Sequence, residues 1–249
     1  MSKGARKIYA RLIAGCLVVA SIGIYVWRTS VRPPLFELYV FDTPGAPSLF
    51  IRTEDDRRIL VHGGANADIV TRLTDLLPFY SRRIDQIVAL DDDPKHVTGL
   101  IEVLNRYAVG SVVLGTTTSS DPTYAVFMNS ITGKGIARHV VSPGDHIGNT
   151  PLAVFDMHRS IFTFEVAGST VLIAPFNPNT FSKKLIASTH PEYVIYSAAK
   201  ETKKPEVLAG IMADHRFNIR SQSGSDGGVR ITIENKKGPE GPDLRIKRY

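Results

Sequence analysis

The order of short β-rich runs and amphipathic helices along residues 35–234 limits the fold more than any other feature of this sequence. Two β-rich runs, Leu35–Asp42 and Ser48–Thr53, open this region, and a third, Arg58–Val61, follows a hairpin loop. Helical and β-rich segments then alternate, with a second β-meander at residues 152–174. This order predicts an α/β (α+β) fold of two mixed sheets with helices outside.

Two predicted helices flank the buried β-rich run Ile84–Leu90. The first starts near Asp68 and runs to about Tyr80, with an apolar residue every three or four positions. The second begins after Asp91-Asp92-Asp93, where Pro94 suits the first turn of a helix. A group of carboxylates is therefore predicted where a strand ends and a helix starts.

The N-terminal segment Ile8–Trp27 is an apolar run with one charged residue, Arg11, near its start. Twenty helical residues span about 30 Å, the thickness of the bilayer's hydrocarbon core. More basic residues precede this run than follow it, which predicts a cytoplasmic N-terminus and an extracytoplasmic domain. A cleaved signal peptide and a lipoprotein signal at Cys16 are the alternatives, but the apolar run continues past both cleavage points.

These features divide the chain into three predicted parts. Residues 1–32 are the cytoplasmic stub and transmembrane anchor, and residues 33–234 form one folded domain. Residues 235–249 are polar and basic, and they are predicted to be a disordered tail. Cys16 is the only cysteine, which excludes an intrachain disulfide and a cysteine-based zinc site.

Three stretches resemble motifs of one hydrolase family. Phe41–Pro47 corresponds to D-V-G-Q-G-D in that family, Leu60–Gly64 to I-D-G-G, and Leu90–Leu100 to T-H-x-D-x-D-H-x-x-G-L. With these motifs in order, residues 35–234 resemble the C-terminal hydrolase domain of the competence protein ComEC, a member of the metallo-β-lactamase superfamily. The resemblance implies a metallo-β-lactamase-type αββα four-layer sandwich whose ancestral site holds two metal ions.

The metal motif of the family is altered in this chain. The resemblance places Asp91 at the first His position, Asp93 at the next ligand position and Lys95 at the acid position, and only His96 keeps the family residue. A lysine beside a metal ion is unfavourable unless its side chain points away.

The other ligand loops of the family are altered too. Phe176 and Asn177 stand at a strand end that reads T-G-D in the family, and Lys204 lies where a late His is expected. Together with Asp42 and His62, these residues make up the predicted remnant pocket. The resemblance therefore implies that the catalytic site is lost, with no catalytic residue and no cofactor.

Two readings of the acidic segment stay open. Asp91, Asp93 and His96 are the candidates for a recast divalent-metal site, for Zn²⁺ or Mn²⁺. The same carboxylates also suit the start of a helix, where they cap backbone N–H groups without any metal. His62 is predicted to be a structural or pocket-lining residue, since no nucleophile or second ligand lies near it in sequence.

The sequence thus predicts a membrane-tethered, catalytically inactive relative of the ComEC hydrolase domain that acts as an extracytoplasmic binding or scaffold module, with a link to DNA uptake. The alternative is a divergent metal-dependent hydrolase of phosphodiesterase or nuclease type. The net charge of +6 permits a nucleic-acid partner, and an envelope protein is the other candidate. The basic residues that would serve nucleic-acid binding are Lys183, Lys184, Lys200, Lys203, Lys204, Lys236, Lys237, Arg245, Lys247 and Arg248.

Overall fold

A computed structural model of the chain describes residues 13–23, 36–41, 43, 47–116, 119–148, 150–156, 161–166, 169–174, 183–191, 193–198, 218–223, 229–235 and 242–248. The chain divides into two units, Met1–Pro34 and Leu35–Tyr249. In the first unit, residues 13–23 form a helix, α1, with exposed side chains.

The second unit contains thirteen described strands and four described helices. The strands are β1 (Phe36–Phe41), β2 (Ser48–Thr53), β3 (Arg58–Val61), β4 (Arg83–Ala89), β5 (Ala108–Leu114), β6 (Ala137–Val140), β7 (Leu152–Asp156), β8 (Ile161–Val166), β9 (Ser169–Ala174), β10 (Tyr193–Ala198), β11 (Asn218–Ser223), β12 (Val229–Asn235) and β13 (Pro242–Arg248). The helices are α2 (Asp68–Leu76), α3 (Pro94–Arg106), α4 (Pro122–Gly133) and α5 (Lys183–Thr189).

The strands form two mixed sheets, as the sequence predicts. The larger sheet has the order β13-β12-β1-β2-β3-β4-β5-β6, and the smaller has the order β11-β10-β9-β8-β7. Strands β3 to β6 run parallel, as do β9 to β11, and the other pairs are antiparallel. In the larger sheet, β3 and β4 end at the same edge, where parallel strands bring the following loops together.

Two hydrophobic cores cover the two faces of the larger sheet. On one face it packs against the smaller sheet, through residues such as Leu38, Ile51, Phe162 and Ile173. On the other face it packs against three helices, through the buried residues Tyr39, Phe50, Leu60, Leu73, Leu100 and Phe127. These contacts define a helix layer and two sheet layers.

The fourth layer of the predicted sandwich is described only in part. Helix α5 buries Leu185 and Ile186, whereas the helix predicted at Pro205–Asp214 lies outside the described residues. The four-layer arrangement therefore stays a prediction.

Two sequence predictions are wrong in detail. The first helix ends at Leu76 and not at Tyr80, because Leu77 precedes Pro78 and takes an extended conformation, as residues before proline do. The C-terminal tail is not fully disordered, because Pro242–Arg248 forms β13 and pairs antiparallel with β12. The alternation of apolar and charged residues in Asp243–Lys247 is a strand pattern that its charged composition conceals.

Among the described residues, no helix is both long enough and apolar enough to cross a bilayer. Residues 8–12 and 24–27 of the predicted span lie outside those residues, and the transmembrane anchor stays a prediction.

Candidate metal centre

The candidate site lies where β3 and β4 end and α3 begins. His62 follows the last residue of β3, Asp91 comes two residues after β4, and His96 lies in the first turn of α3. All three side chains are buried: His62 is 0% exposed, Asp91 8% and His96 9%. Potential ligand atoms of these three residues lie within 4.8 Å of one another, and they form a candidate divalent-metal site.

Asp91 and His96 form a tight pair. The His96 Nδ1 atom lies 2.6 Å from Oδ1 and 2.7 Å from Oδ2 of Asp91. An ionised carboxylate can only accept, so His96 carries a proton on Nδ1 and donates it to Asp91. In the neutral ring this leaves the lone pair on Nε2, the atom that a carboxylate-oriented histidine offers to a metal.

The imidazole ring of His62 lies against this pair without a hydrogen bond of its own. Its ring is stacked on the His96 ring, with centroids 4.4 Å apart and an angle of 9° between the planes. Neither Nδ1 nor Nε2 of His62 has a hydrogen-bond partner, although both are buried. Leaving a buried N–H without an acceptor costs about 1–3 kcal/mol. Because both ring nitrogens of His62 lack a partner, they are the least satisfied polar atoms of the cluster.

The backbone and charge state of His62 are also unusual. Its φ angle is +59°, in the left-handed region that residues other than glycine adopt in only about a few per cent of cases. Burial, together with the neighbouring His96, lowers the pKa of His62 well below its usual value of 6.5. The ring is therefore neutral at physiological pH, the form that can ligate a cation.

Asp93 and Lys95, the other two residues of the altered motif, do not join the cluster. The Asp93 carboxylate accepts the backbone N–H of Lys95 at 2.9 Å and caps α3, which confirms the helix-cap reading for this residue. The Lys95 side chain is exposed, so its charge does not enter the buried cluster. Of the predicted ligand set, the structure brings together Asp91 and His96, and it adds His62 in place of Asp93.

The predicted remnant pocket has four members besides His62. Asp42, Phe176, Asn177 and Lys204 lie outside the described residues.

Two neighbouring aromatic residues were not predicted from the sequence. The Phe162 ring, on β8 in the smaller sheet, lies 6.0 Å from the His62 ring and closes that side of the cluster. Tyr124, in the first turn of α4, is buried, and its pKa is raised by burial and by the charges of Asp92 and Asp91. Both residues come near the cluster through the tertiary fold, and no local sequence signal marks them.

The donors suit one ion better than two. Two imidazoles and one carboxylate are a usual set for Zn²⁺, and the unsatisfied nitrogens of His62 could be satisfied by such an ion. However, an imidazole binds a metal in the plane of its ring, and the two nearly parallel rings cannot both do so in this stacked arrangement. Binding by both histidines requires one ring to rotate.

No protein-family model matches the chain, and no curated protein matches it. Solved structures do match over much of its length, and they include proteins of the metallo-β-lactamase superfamily. A Zn²⁺-bound PqqB from Methylobacterium extorquens is 13% identical, over 66% of this chain and 71% of that one, with a TM-score of 0.47. A diphosphatase of the PhnP family is 11% identical, over 76% and 85%, with a TM-score of 0.49.

The Rm3 metallo-β-lactamase is 14% identical, over 74% of this chain and 83% of that one, with a TM-score of 0.41. Similarity at this level assigns no activity to the chain.

Proposed function

We propose that the chain is a membrane-tethered module of metallo-β-lactamase fold, related to the ComEC hydrolase domain, that has lost catalysis and acts by binding. The observation that carries the proposal is that the one carboxylate of the buried His62–Asp91–His96 cluster is paired with His96. A catalytic metal keeps an open position for water or substrate. Here all three candidate ligands are buried, and Asp91 is already engaged with His96 through both carboxylate oxygens.

The ligand count supports the same proposal. A two-metal hydrolase holds two ions a few ångströms apart, and each needs several ligands. Among the described residues, His62, Asp91 and His96 form the only such group. The remaining family ligand positions lie in segments where the sequence has Phe176, Asn177 and Lys204, of which the phenylalanine and the lysine are unsuited to bind a cation.

A hydrolysis assay tests the loss of catalysis. The full chain is purified, supplied with Zn²⁺ or Mn²⁺, and assayed with bis(p-nitrophenyl) phosphate beside the variants His96→Ala and His139→Ala. His139 is exposed on β6, so it is the matched control. We expect all three proteins to show the same background rate. A rate that persists in His139→Ala and disappears in His96→Ala would contradict the proposal.

A single-metal site is the second candidate, because both nitrogens of His62 are buried without a partner. In that arrangement His96 Nε2 and a nitrogen of His62 would bind the ion, while Asp91 would orient His96. The ion would supply Lewis acidity for hydrolysis. Elemental analysis of the full chain, before and after chelation, tests for it. Stoichiometric metal that is lost in His62→Ala and kept in His139→Ala would support this candidate.

The proposed membrane attachment is through residues 8–27, with the N-terminus in the cytoplasm and the folded domain outside. The length and apolarity of this run support the attachment, as does the excess of basic residues before it.

For the partner, the net charge of +6 favours an anionic molecule, with DNA as the first candidate and an envelope protein as the second. Binding to DNA should weaken steeply with added salt.

A further inference from the structure

Two adjacent aromatic side chains protrude from the loop between α2 and β4. Phe79 is 87% exposed and Tyr80 is 78% exposed, and their rings meet edge to face with centroids 5.3 Å apart. The basic residues Arg82 and Arg83 follow directly and are also exposed. Exposed apolar side chains that lie side by side often mark a site of contact with a protein or a membrane. This loop is therefore a candidate contact surface.

The position of this loop in the larger sheet indicates what it meets. Phe36 pairs with Thr53, and the ladders through β2, β3 and β4 place Phe36 and Ile84 in the same row across four adjacent strands. Three strand spacings amount to about 14 Å. The loop that leads into Ile84 therefore lies at the edge where the chain enters the folded unit.

The proposed anchor is attached to this same edge. Nine residue steps separate Trp27 from Phe36, and a fully extended chain covers at most about 3.6 Å per residue. Phe36 therefore stays within about 32 Å of the membrane surface if residues 8–27 span it. The His62 cluster follows the opposite ends of β3 and β4, so it lies at the far edge of the sheet.

We propose that the loop Phe79–Arg83 contacts the lipid headgroup region of the membrane that holds the anchor; this inference rests on the proposed membrane attachment. Phe79 and Tyr80 would enter the boundary between headgroups and acyl chains, where aromatic side chains are enriched. Arg82 has no side-chain partner among the described residues and is available to lipid phosphates.

The charges around the loop make the aromatic contribution the main one. Arg83 is paired with Asp85 at 2.8 Å, and Arg106 lies 3.8 Å from Glu102. Asp75 on α2 adds a further negative charge close by in sequence. The net positive charge at the loop is thus small, which also disfavours nucleic acid. The edge-to-face rings offer no parallel platform for stacked bases.

Tryptophan fluorescence of the full chain in vesicles tests the contact. The vesicles contain phosphatidylcholine and phosphatidylglycerol, with bromine on part of the acyl chains near the headgroups. Trp27 is the only tryptophan, so the native chain reports on the anchor. In a Trp27→Phe background, Phe79→Trp reports on the loop. Val140→Trp is the control, because Val140 is exposed and ends β6 at the far edge.

We expect brominated lipid to reduce the emission of Phe79→Trp by about twofold, because a ring in the headgroup–acyl boundary lies within reach of the bromines. Val140→Trp should respond to aqueous iodide and not to brominated lipid. Quenching of Trp27 without quenching of Phe79→Trp would overturn the loop contact alone. A Trp27 signal that ignores brominated lipid would overturn the anchor and, with it, the loop contact. Quenching of Phe79→Trp by an oligonucleotide and not by brominated lipid would also overturn the contact between the loop and the membrane.

Discussion

The backbones of Gly63 and Gly99 are in direct contact, which brings the loop after β3 against the first turns of α3. Gly63 N–H donates to the His96 carbonyl at 2.7 Å, and Gly99 N–H donates to the Gly64 carbonyl at 3.0 Å. A Cβ on Gly99 would overlap the Gly63 carbonyl oxygen and would lie 2.6 Å from that of Asn66. This crossing holds His62 beside His96.

Gly99→Ala should therefore destabilise the protein strongly. The new methyl group meets backbone and not a flexible side chain, so the loop and helix must separate, at a cost of about 3 kcal/mol or more. Urea unfolding followed by circular dichroism measures the loss. Gly133→Ala is the matched control, because nothing lies within 4 Å of its added Cβ. Equal unfolding midpoints for the two variants would disprove the close crossing.

The sequence predicts the elements around the site better than the site itself. Strand β4 and the proline-initiated helix α3 follow from local patterns, as does the cap at Asp93. The approach of His62 to His96 depends on contacts between residues that are distant in sequence, and a single sequence does not reveal which pairs meet. The predicted metal set therefore contained Asp93 instead of His62.

Strand β13 shows a second reason why prediction from the sequence fails. Residues 235–249 are charged, and composition alone predicts disorder, whereas pairing with β12 supplies the hydrogen bonds that make the segment a strand. At Phe79 the error is the opposite one, because the sequence predicts a helix where the structure has a loop. Its aromatic residues continue the apolar face of the predicted helix, and only the early end of α2 exposes them.

The low pKa of His62 predicts loss of stability in acid. The folded state holds the ring neutral, while the unfolded chain protonates it below about pH 6.5. The unfolded state therefore binds more protons as the pH falls from 6.5, and this residue lowers the free energy of unfolding by up to about 1.4 kcal/mol per pH unit. Above pH 7 the contribution vanishes, because the ring is neutral in both states.

The variant His62→Asn isolates this contribution, since asparagine tolerates the positive φ angle and does not titrate. In chelated buffer its free energy of unfolding should fall less steeply between pH 7 and pH 5 than that of the wild type. His139→Asn, which alters an exposed histidine, should keep the wild-type slope. Parallel curves for the wild type and His62→Asn would show that His62 titrates normally in the folded protein.

The Asp91–His96 pair should depend on the negative charge of Asp91. Asp91→Asn keeps the size of the side chain but replaces the carboxylate with a neutral amide, and hydrogen bonds to charged groups contribute about 1.5–3 kcal/mol. We expect a loss of this order in the free energy of unfolding. Asp92→Asn is the control and should change it by less than about 0.5 kcal/mol.

Nitrogen NMR of labelled histidine provides an independent measure of the same pair. In the wild type the proton of neutral His96 should reside on Nδ1, facing Asp91, and Asp91→Asn should redistribute it toward Nε2. An unchanged tautomer in Asp91→Asn would mean that Asp91 does not orient the ring.

Glu37 and Arg230 join β1 to β12 on the helix-facing side of the larger sheet. The Glu37 side chain is 4% exposed, Arg230 Nη2 donates to its Oε1, and Arg52 Nη1 lies farther away, 3.8 Å from Oε2. The guanidinium of Arg230 also covers the Tyr39 ring at 5.3 Å. Arg230 is therefore the principal partner of a buried carboxylate.

Arg230→Met should lower the free energy of unfolding by about 1–3 kcal/mol, because the buried Glu37 carboxylate loses its nearest cation and keeps only Tyr39 and the more distant Arg52 as partners. Arg138→Met removes an exposed arginine from β6 and should change it by less than about 0.5 kcal/mol. Adding Glu37→Leu to Arg230→Met should recover part of the loss, since the unpaired charge is then gone. If Arg230→Met unfolds at the same urea concentration as Arg138→Met, the pair contributes nothing to holding β12 against β1.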